Sequence, residues 1–202
     1  MQIIENKALL FKTRNPDKYS IIPRHKIVSE NNGTYEVAVY WGLDEARVLR
    51  NLGVKNTPSP ITAKYNWVGR HKPFAHQIET ASFLTMNRRA FVFNDPGTGK
   101  TFSALWAADY LMKLGRIRRV LVICPLSIMD SAWRADLFKF AMHRTVDIAY
   151  GSKEKRNRVI ASDAEFVIIN YDGVEIVQEA VANGGFDLIV VDEANAYKNA
   201  QT

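Results

Sequence analysis

Asp95-Pro96-Gly97-Thr98-Gly99-Lys100-Thr101 gathers the residue types that bind phosphate. Glycines let backbone N–H groups converge on oxygen atoms without side-chain clash. A lysine reaches the terminal phosphates, and a threonine hydroxyl suits a magnesium ion. A helix opening at the lysine adds the positive end of its dipole. The complete pattern G-x-x-x-x-G-K-[ST] is not met, because Asn94 occupies its first position. A chance Gly-x-Gly-Lys-Thr turn is the plain alternative, and the strand–loop–helix context weighs against it. Further along, Asp192-Glu193 follows the apolar run Leu188-Ile189-Val190-Val191. In a nucleotide site the first carboxylate holds magnesium and the second acts on the attacking water. Alone such a pair is commonly a solvated turn; with a phosphate loop upstream it becomes a functional partner.

These groups need elements that end where the chemistry begins. Ala90-Phe91-Val92-Phe93 predicts a short strand entering the loop, and Lys100 to Leu114 predicts the helix leaving it, stopped by Gly115. Downstream, strands are expected at Val120–Cys124, Val146–Tyr150, Phe166–Ile169 and Leu188–Val191. Helices are expected at Ser127–Phe140, Ser152–Ala161 and Gly173–Ala182, with Ala75–Asn87 upstream. Apolar strands alternating with helices imply a parallel sheet covered on both faces, with ligands at the carboxyl ends of the strands. Residues 1–40 read as extended, with a turn at Asn31-Asn32-Gly33, and Leu43–Leu52 reads as a short helix with Asp44 as a possible cap and Gly53 as its stop. Thr57-Pro58-Ser59-Pro60 breaks regular structure. The expected organisation is a β-rich accessory region over 1–56, a linker over 57–73 and an α/β lobe over 74–202.

Composition sets outer limits. The chain has 202 residues, 47% hydrophobic and 24% charged, with one cysteine, Cys124. That excludes an internal disulfide and a cysteine-rich zinc cluster. No apolar run approaches the roughly 20 residues of a membrane span, and the N-terminus lacks the pattern of a secretory signal. No membrane partner is expected, and the single cysteine suits a reducing compartment such as the cytoplasm. The net charge is +6, and residues 1–70 hold 11 Lys/Arg against 6 Asp/Glu. A basic excess favours a polyanion partner, with a solvated basic surface as the alternative. The N-terminal region would bind duplex DNA or simply prop the lobe.

Taken in order, the motifs resemble those of superfamily-2 helicases and translocases, especially the Swi/Snf-like group and its phage relatives, over about residues 70–202. Phe93 to Thr101 looks like motif I. Val122-Ile123-Cys124-Pro125-Leu126-Ser127, with Trp133 after it, is similar to motif Ia. Val167-Ile168-Ile169-Asn170-Tyr171 looks like motif Ib, and Val190-Val191-Asp192-Glu193-Ala194-Asn195 like the DEAD/DEAH-like motif II. Lys72-Pro73-Phe74-Ala75-His76-Gln77 resembles the Q motif.

The resemblance implies a RecA-like P-loop NTPase lobe with a mostly parallel sheet, incomplete at its C-terminus, plus the small β-rich region. ATP and Mg²⁺ are the implied cofactors and DNA the implied partner, through backbone contacts without sequence specificity. Gln77 would read adenine, with Phe74 packing the base. Asp95, Gly97, Thr98, Gly99, Lys100 and Thr101 would hold the phosphates. Thr101 and Asp192 would hold magnesium; Lys100 and Glu193 would be catalytic. Pro125, Leu126, Ser127, Asn170 and Tyr171 would line the path of a DNA strand.

Some features depart from the pattern or remain bland. Asn195 stands where many relatives carry a histidine that couples ATP state to nucleic acid, and Pro96 removes a backbone donor from the loop. Ser127 could be only a helix cap, and Trp106 and Trp133 read as packing residues. His71, His76 and His143 show no metal-ligand spacing. Arg116-Ile117-Arg118-Arg119 and the Lys153–Arg158 run read as solvated charge. The family's second lobe and arginine finger are expected to be missing from this chain. It would then bind ATP weakly and hydrolyse it barely, or serve as a nucleotide-binding regulator or decoy.

Overall fold

The computed structural model describes residues 1–69 and 71–193. They group into two compact units, one of residues 1–66 with 78–92, the other of residues 67–77 with those from Phe93 onward.

The first unit is an antiparallel sheet with small helices. Its strands are β1 (Gln2–Ile4), β2 (Ala8–Thr13), β3 (His25–Asn31) and β4 (Thr34–Tyr40), in the order β1-β2-β4-β3. The β3–β4 turn is the expected one: Asn32 and Gly33 take φ of 50° and 71°, as a tight hairpin of this hand requires. Alternation along β2 and β4 buries Leu9, Phe11, Val37 and Val39. Helix α1 (Leu43–Asn51) begins at Gly42, so Asp44 lies inside the first turn rather than at the cap, where its carboxylate still faces the positive end of the helix.

Thr57–Pro60 is packed into this unit, unlike a free linker. Trp41 Nε1 donates to the Pro58 carbonyl at 2.9 Å, and the Ser59 hydroxyl pairs with that of Thr85 at 2.7 Å. One turn of helix, α2 (Ile61–Lys64), follows. Helix α3 (Ala75–Met86) contributes its C-terminal part here, where the Arg47 guanidinium caps the Thr85 carbonyl.

The second unit carries the α/β sheet. Helix α4 (Lys100–Lys113) precedes β5 (Val120–Cys124). A 3₁₀ turn (Leu126–Ile128), a π-helical turn (Met129–Arg134) and α5 (Ala135–Phe140) replace the single expected helix. Then come β6 (Val146–Ala149), α6 (Lys153–Ile160), β7 (Phe166–Asn170), α7 (Tyr171–Ile176), α8 (Gln178–Asn183) and β8 (Leu188–Val191). The four strands are parallel, in the order β6-β7-β5-β8. Val120, Val122, Cys124, Phe166 and Ile168 face a core with Leu105, Met112, Trp133 and Leu137. Leu121, Ile123, Val167 and Ile169 face a second core with Ile160 and Val177. Burial on both faces is what continuous apolar strands demand. On β8, Leu188 and Val190 pack while Ile189 and Val191 are exposed.

Ala90–Phe93 is not a strand: it lies outside both sheets, with Phe91 and Phe93 largely exposed. Strand propensity expresses a fit to a pleated, half-buried surface, and an apolar run outside a ladder lacks one. No helix among the described residues is long and apolar enough to cross a membrane.

Candidate functional site

Helix α4 packs on α5, with the Phe102 and Phe140 rings 4.0 Å apart. The glycine loop opens this helix. Gly97 and Gly99 both take φ of 77°, and Gly99 is the N-cap in the left-handed region, with no side chain capping the helix. The first-turn N–H groups are thus left to meet an acceptor from outside the helix. The Thr98 hydroxyl donates to the Asp95 carbonyl at 2.8 Å and closes the turn. Lys100 curls back over the loop, its ammonium donating to the carbonyls of Asn94 and Asp95 at 3.0 Å each. Thr101 is half-buried in the first turn, and Asp95 and Gly97 are exposed.

Gln77 is buried and bonded at both ends of its amide. Its Oε1 accepts the Phe74 N–H at 3.0 Å, and its Nε2 donates to the Thr98 carbonyl at 3.2 Å. A Cβ at Gly99 would collide with that Nε2. The side chain expected to read adenine thus props the phosphate loop. His76 reaches the same Thr98 carbonyl through Nε2 at 3.0 Å. Phe74 is exposed and stacked beside the His76 ring, a placement that suits packing a base.

A second cluster stands at the strand ends. Asp192 immediately follows β8, and its N–H donates to the Ile123 carbonyl at 2.9 Å, extending the parallel pairing. Its Oδ1 accepts the Glu193 N–H at 2.9 Å, and its Oδ2 accepts Trp133 Nε1–H at 2.9 Å. Its carbonyl accepts the Tyr171 hydroxyl. Glu193 is exposed and takes φ of 51°, a backbone that non-glycine residues rarely adopt and that recurs at functional sites. Burial, then the nearby charges of Asp192 and Glu193, pushes the Cys124 thiol up to about 12, so this cysteine is a neutral packing residue.

Of the residues expected on a nucleic-acid path, Pro125 is half-buried, while Leu126 and Ser127 are exposed just past β5. Ser127 caps no helix; the 3₁₀ turn begins at Pro125 without a side-chain cap. Asn170 differs from expectation. It is buried, and its Oδ1 accepts from Arg156 Nη1 at 3.0 Å, so the side chain shapes the loop from beneath. Tyr171 turns its hydroxyl to Asp192. Asn195, Lys198 and Asn199 lie outside the described residues.

Two arginines read as solvated charge are structural. Arg156 is buried and also donates to the carbonyls of Ala149 and Gly151, at 2.7 and 3.0 Å. Arg119 donates to the carbonyls of Ala164, Gly184 and Ile160 and lies over the Phe186 ring. The available signal was Arg156 standing one helical turn before Ile160, on the buried face of α6. Nothing local distinguishes Arg119 from its neighbours.

Known proteins show the same architecture. Residues 75–202 match the SNF2-related domain family. An uncharacterized ATP-dependent helicase of Bacillus subtilis, YqhH, is 27% identical over 135 residues, covering 64% of this chain and 23% of that protein. The ISWI chromatin-remodeling complex ATPase ISW2 of Saccharomyces cerevisiae is 28% identical over 115 residues, 54% of this chain and 10% of the relative. Among solved structures, the Sulfolobus solfataricus SWI2/SNF2 ATPase core in complex with dsDNA superposes with a TM-score of 0.58 at 28% identity. It covers 67% of this chain and 29% of that one. The same core domain described without DNA gives a TM-score of 0.53 at 25% identity, covering 68% and 32%. The chain therefore spans less than a third of each of these proteins. It belongs to the SNF2-related domain family, as a first lobe of the superfamily-2, Swi/Snf-like type.

Proposed function

We propose that this chain is the ATP-binding lobe of an ATP-dependent DNA translocase or helicase. The observation that carries the proposal is the glycine-opened, uncapped N-terminus of α4 with the Lys100 ammonium lying over its loop. The donor set fits a nucleotide with magnesium: first-turn N–H groups free of side-chain caps, an ammonium lying over the loop, a threonine hydroxyl and a fixed carboxylate. Residues 95 to 101 would hold the phosphates, and Thr101 and Asp192 the metal. Bound magnesium would supply charge neutralisation at the phosphates. Lys100 exchanges its two carbonyl acceptors for phosphate oxygens, a change that favours an anion over a neutral partner. Glu193, exposed beside Asp192, orients water.

DNA contact is supported by the exposed loop after β5, by the basic excess of residues 1–70 and by the double-stranded DNA held by the Sulfolobus ATPase core. Contacts of this kind reach phosphates and carry no base sequence. The test is binding of the chain to two unrelated DNA duplexes across a salt series. Equal affinities that fall together as salt rises are expected. No affinity at low salt, or a strong preference for one sequence, refutes this part of the proposal.

A further inference from the structure

Every polar group of Asp192 is bonded, and two of its partners, Trp133 and Tyr171, stand just after or within the segments proposed for the nucleic-acid path. Trp133 is 2% exposed in the core with Cys124, Met129 and Leu137, so its indole cannot swing away without unpacking that face of the sheet. Its ring nitrogen meets Asp192 Oδ2 from the π-helical turn that follows the Pro125–Ser127 segment. Tyr171 meets the Asp192 carbonyl from the start of α7. The Asn170 side chain, just before Tyr171, is in turn held by Arg156. Gly173 leaves room for that contact, since a Cβ there would strike both Arg156 Nη1 and Asn170 Oδ1.

We infer that Trp133 and Tyr171 are positioning residues for Asp192, tying both loops of the nucleic-acid path to the carboxylate that holds magnesium. The inference rests on the metal role proposed for Asp192. A carboxylate oxygen keeps a second lone pair after accepting one hydrogen bond, so Trp133 aims Oδ2 without consuming it. A strand that shifts either loop moves an Asp192 partner, and by linkage magnesium occupancy alters strand affinity by the same factor. This route needs no side chain from position 195.

The test uses the 202-residue chain and a fluorescent ADP analogue, titrated with magnesium from an EDTA baseline. Wild type is expected to bind more tightly as magnesium rises, and Asp192→Asn to lose that gain. Trp133→Phe and Tyr171→Phe keep the rings and remove one donor each. They are expected to retain the EDTA affinity and to raise the magnesium midpoint about tenfold or more, the scale on which outer partners of a metal ligand act. If Trp133→Phe does not fold, Tyr171→Phe, which loses only a hydroxyl, decides. Absence of a gain in wild type, or its survival in Asp192→Asn, removes the metal role of Asp192 and this inference with it. With those controls in order, wild-type midpoints in the phenylalanine variants overturn the inference alone. Duplex DNA is expected to shift the wild-type midpoint, and the shift to vanish in the double variant. No shift, or one that survives, overturns the coupling.

Discussion

The glycine loop and the carboxylate corner are built on opposite plans. The loop is held mostly by its own side chains on its own backbone, a threonine closing a turn and a lysine on two carbonyls, with one distant prop, Gln77, on Thr98. The corner is held from afar, by Trp133 across 59 positions, Tyr171 across 21 and the Ile123 carbonyl on β5. A loop of the first kind adapts to what it binds, whereas a carboxylate of the second kind is aimed before anything arrives. The contrast predicts backbone-sensitive variants in the loop and packing-sensitive variants at the corner.

The largest effect separates packing from aiming. Trp133→Ala and Trp106→Ala each remove a fully buried indole and are expected to cost about 3–5 kcal/mol, measured by urea unfolding. Trp106 donates instead to the Val68 carbonyl, so Trp133→Ala alone should also weaken magnesium-dependent binding. Equal magnesium behaviour in the two would erase the distinction.

The loop offers the next comparison. Gly97→Ala meets open space and bears only the left-handed backbone cost of about 1–2 kcal/mol. Gly99→Ala bears that cost and also strikes Gln77, adding about 1–3 kcal/mol of crowding. Thermal unfolding and nucleotide affinity should both rank Gly99→Ala as the more damaged. The reverse order would mean that Gln77 does not prop the loop.

The smallest effect concerns Cys124. Its raised folded-state value means the protonated thiol is favoured in the native state. Below the unfolded thiol's ordinary value the contribution to stability is complete; as pH climbs from there toward about 12, the unfolded chain ionises first and the contribution is lost. Iodoacetamide at pH 8 should leave the native thiol unmodified and label it once urea unfolds the chain. Rapid native labelling would show that the corner opens.

These plans also explain what could be read from residues alone. The parallel sheet, the hairpin turn and the glycine-opened helix from Lys100 were all legible, because glycines and apolar runs impose their requirements locally. The roles of Gln77, Asn170 and Arg156 were not. Each is a polar side chain whose meaning comes from partners distant in sequence, and neither periodicity nor composition registers such a partner. Trp133 was legible as a packing residue, but its N–H donor to Asp192 was not, since burial and hydrogen bonding are separate demands on one ring. Ala90–Phe93 shows the opposite failure, an apolar run that looked like a strand and stands outside both sheets.

The central claim is that residues 95 to 101 hold nucleotide phosphates, with Lys100 supplying the charge. Calorimetric titration of ATP with magnesium into the wild-type chain and into Lys100→Ala tests it most directly. The account predicts measurable binding by wild type and an affinity at least about tenfold weaker in the variant, given that a hydrogen bond to a charged group contributes about 1.5–3 kcal/mol. Unchanged affinity in a folded Lys100→Ala chain would contradict it.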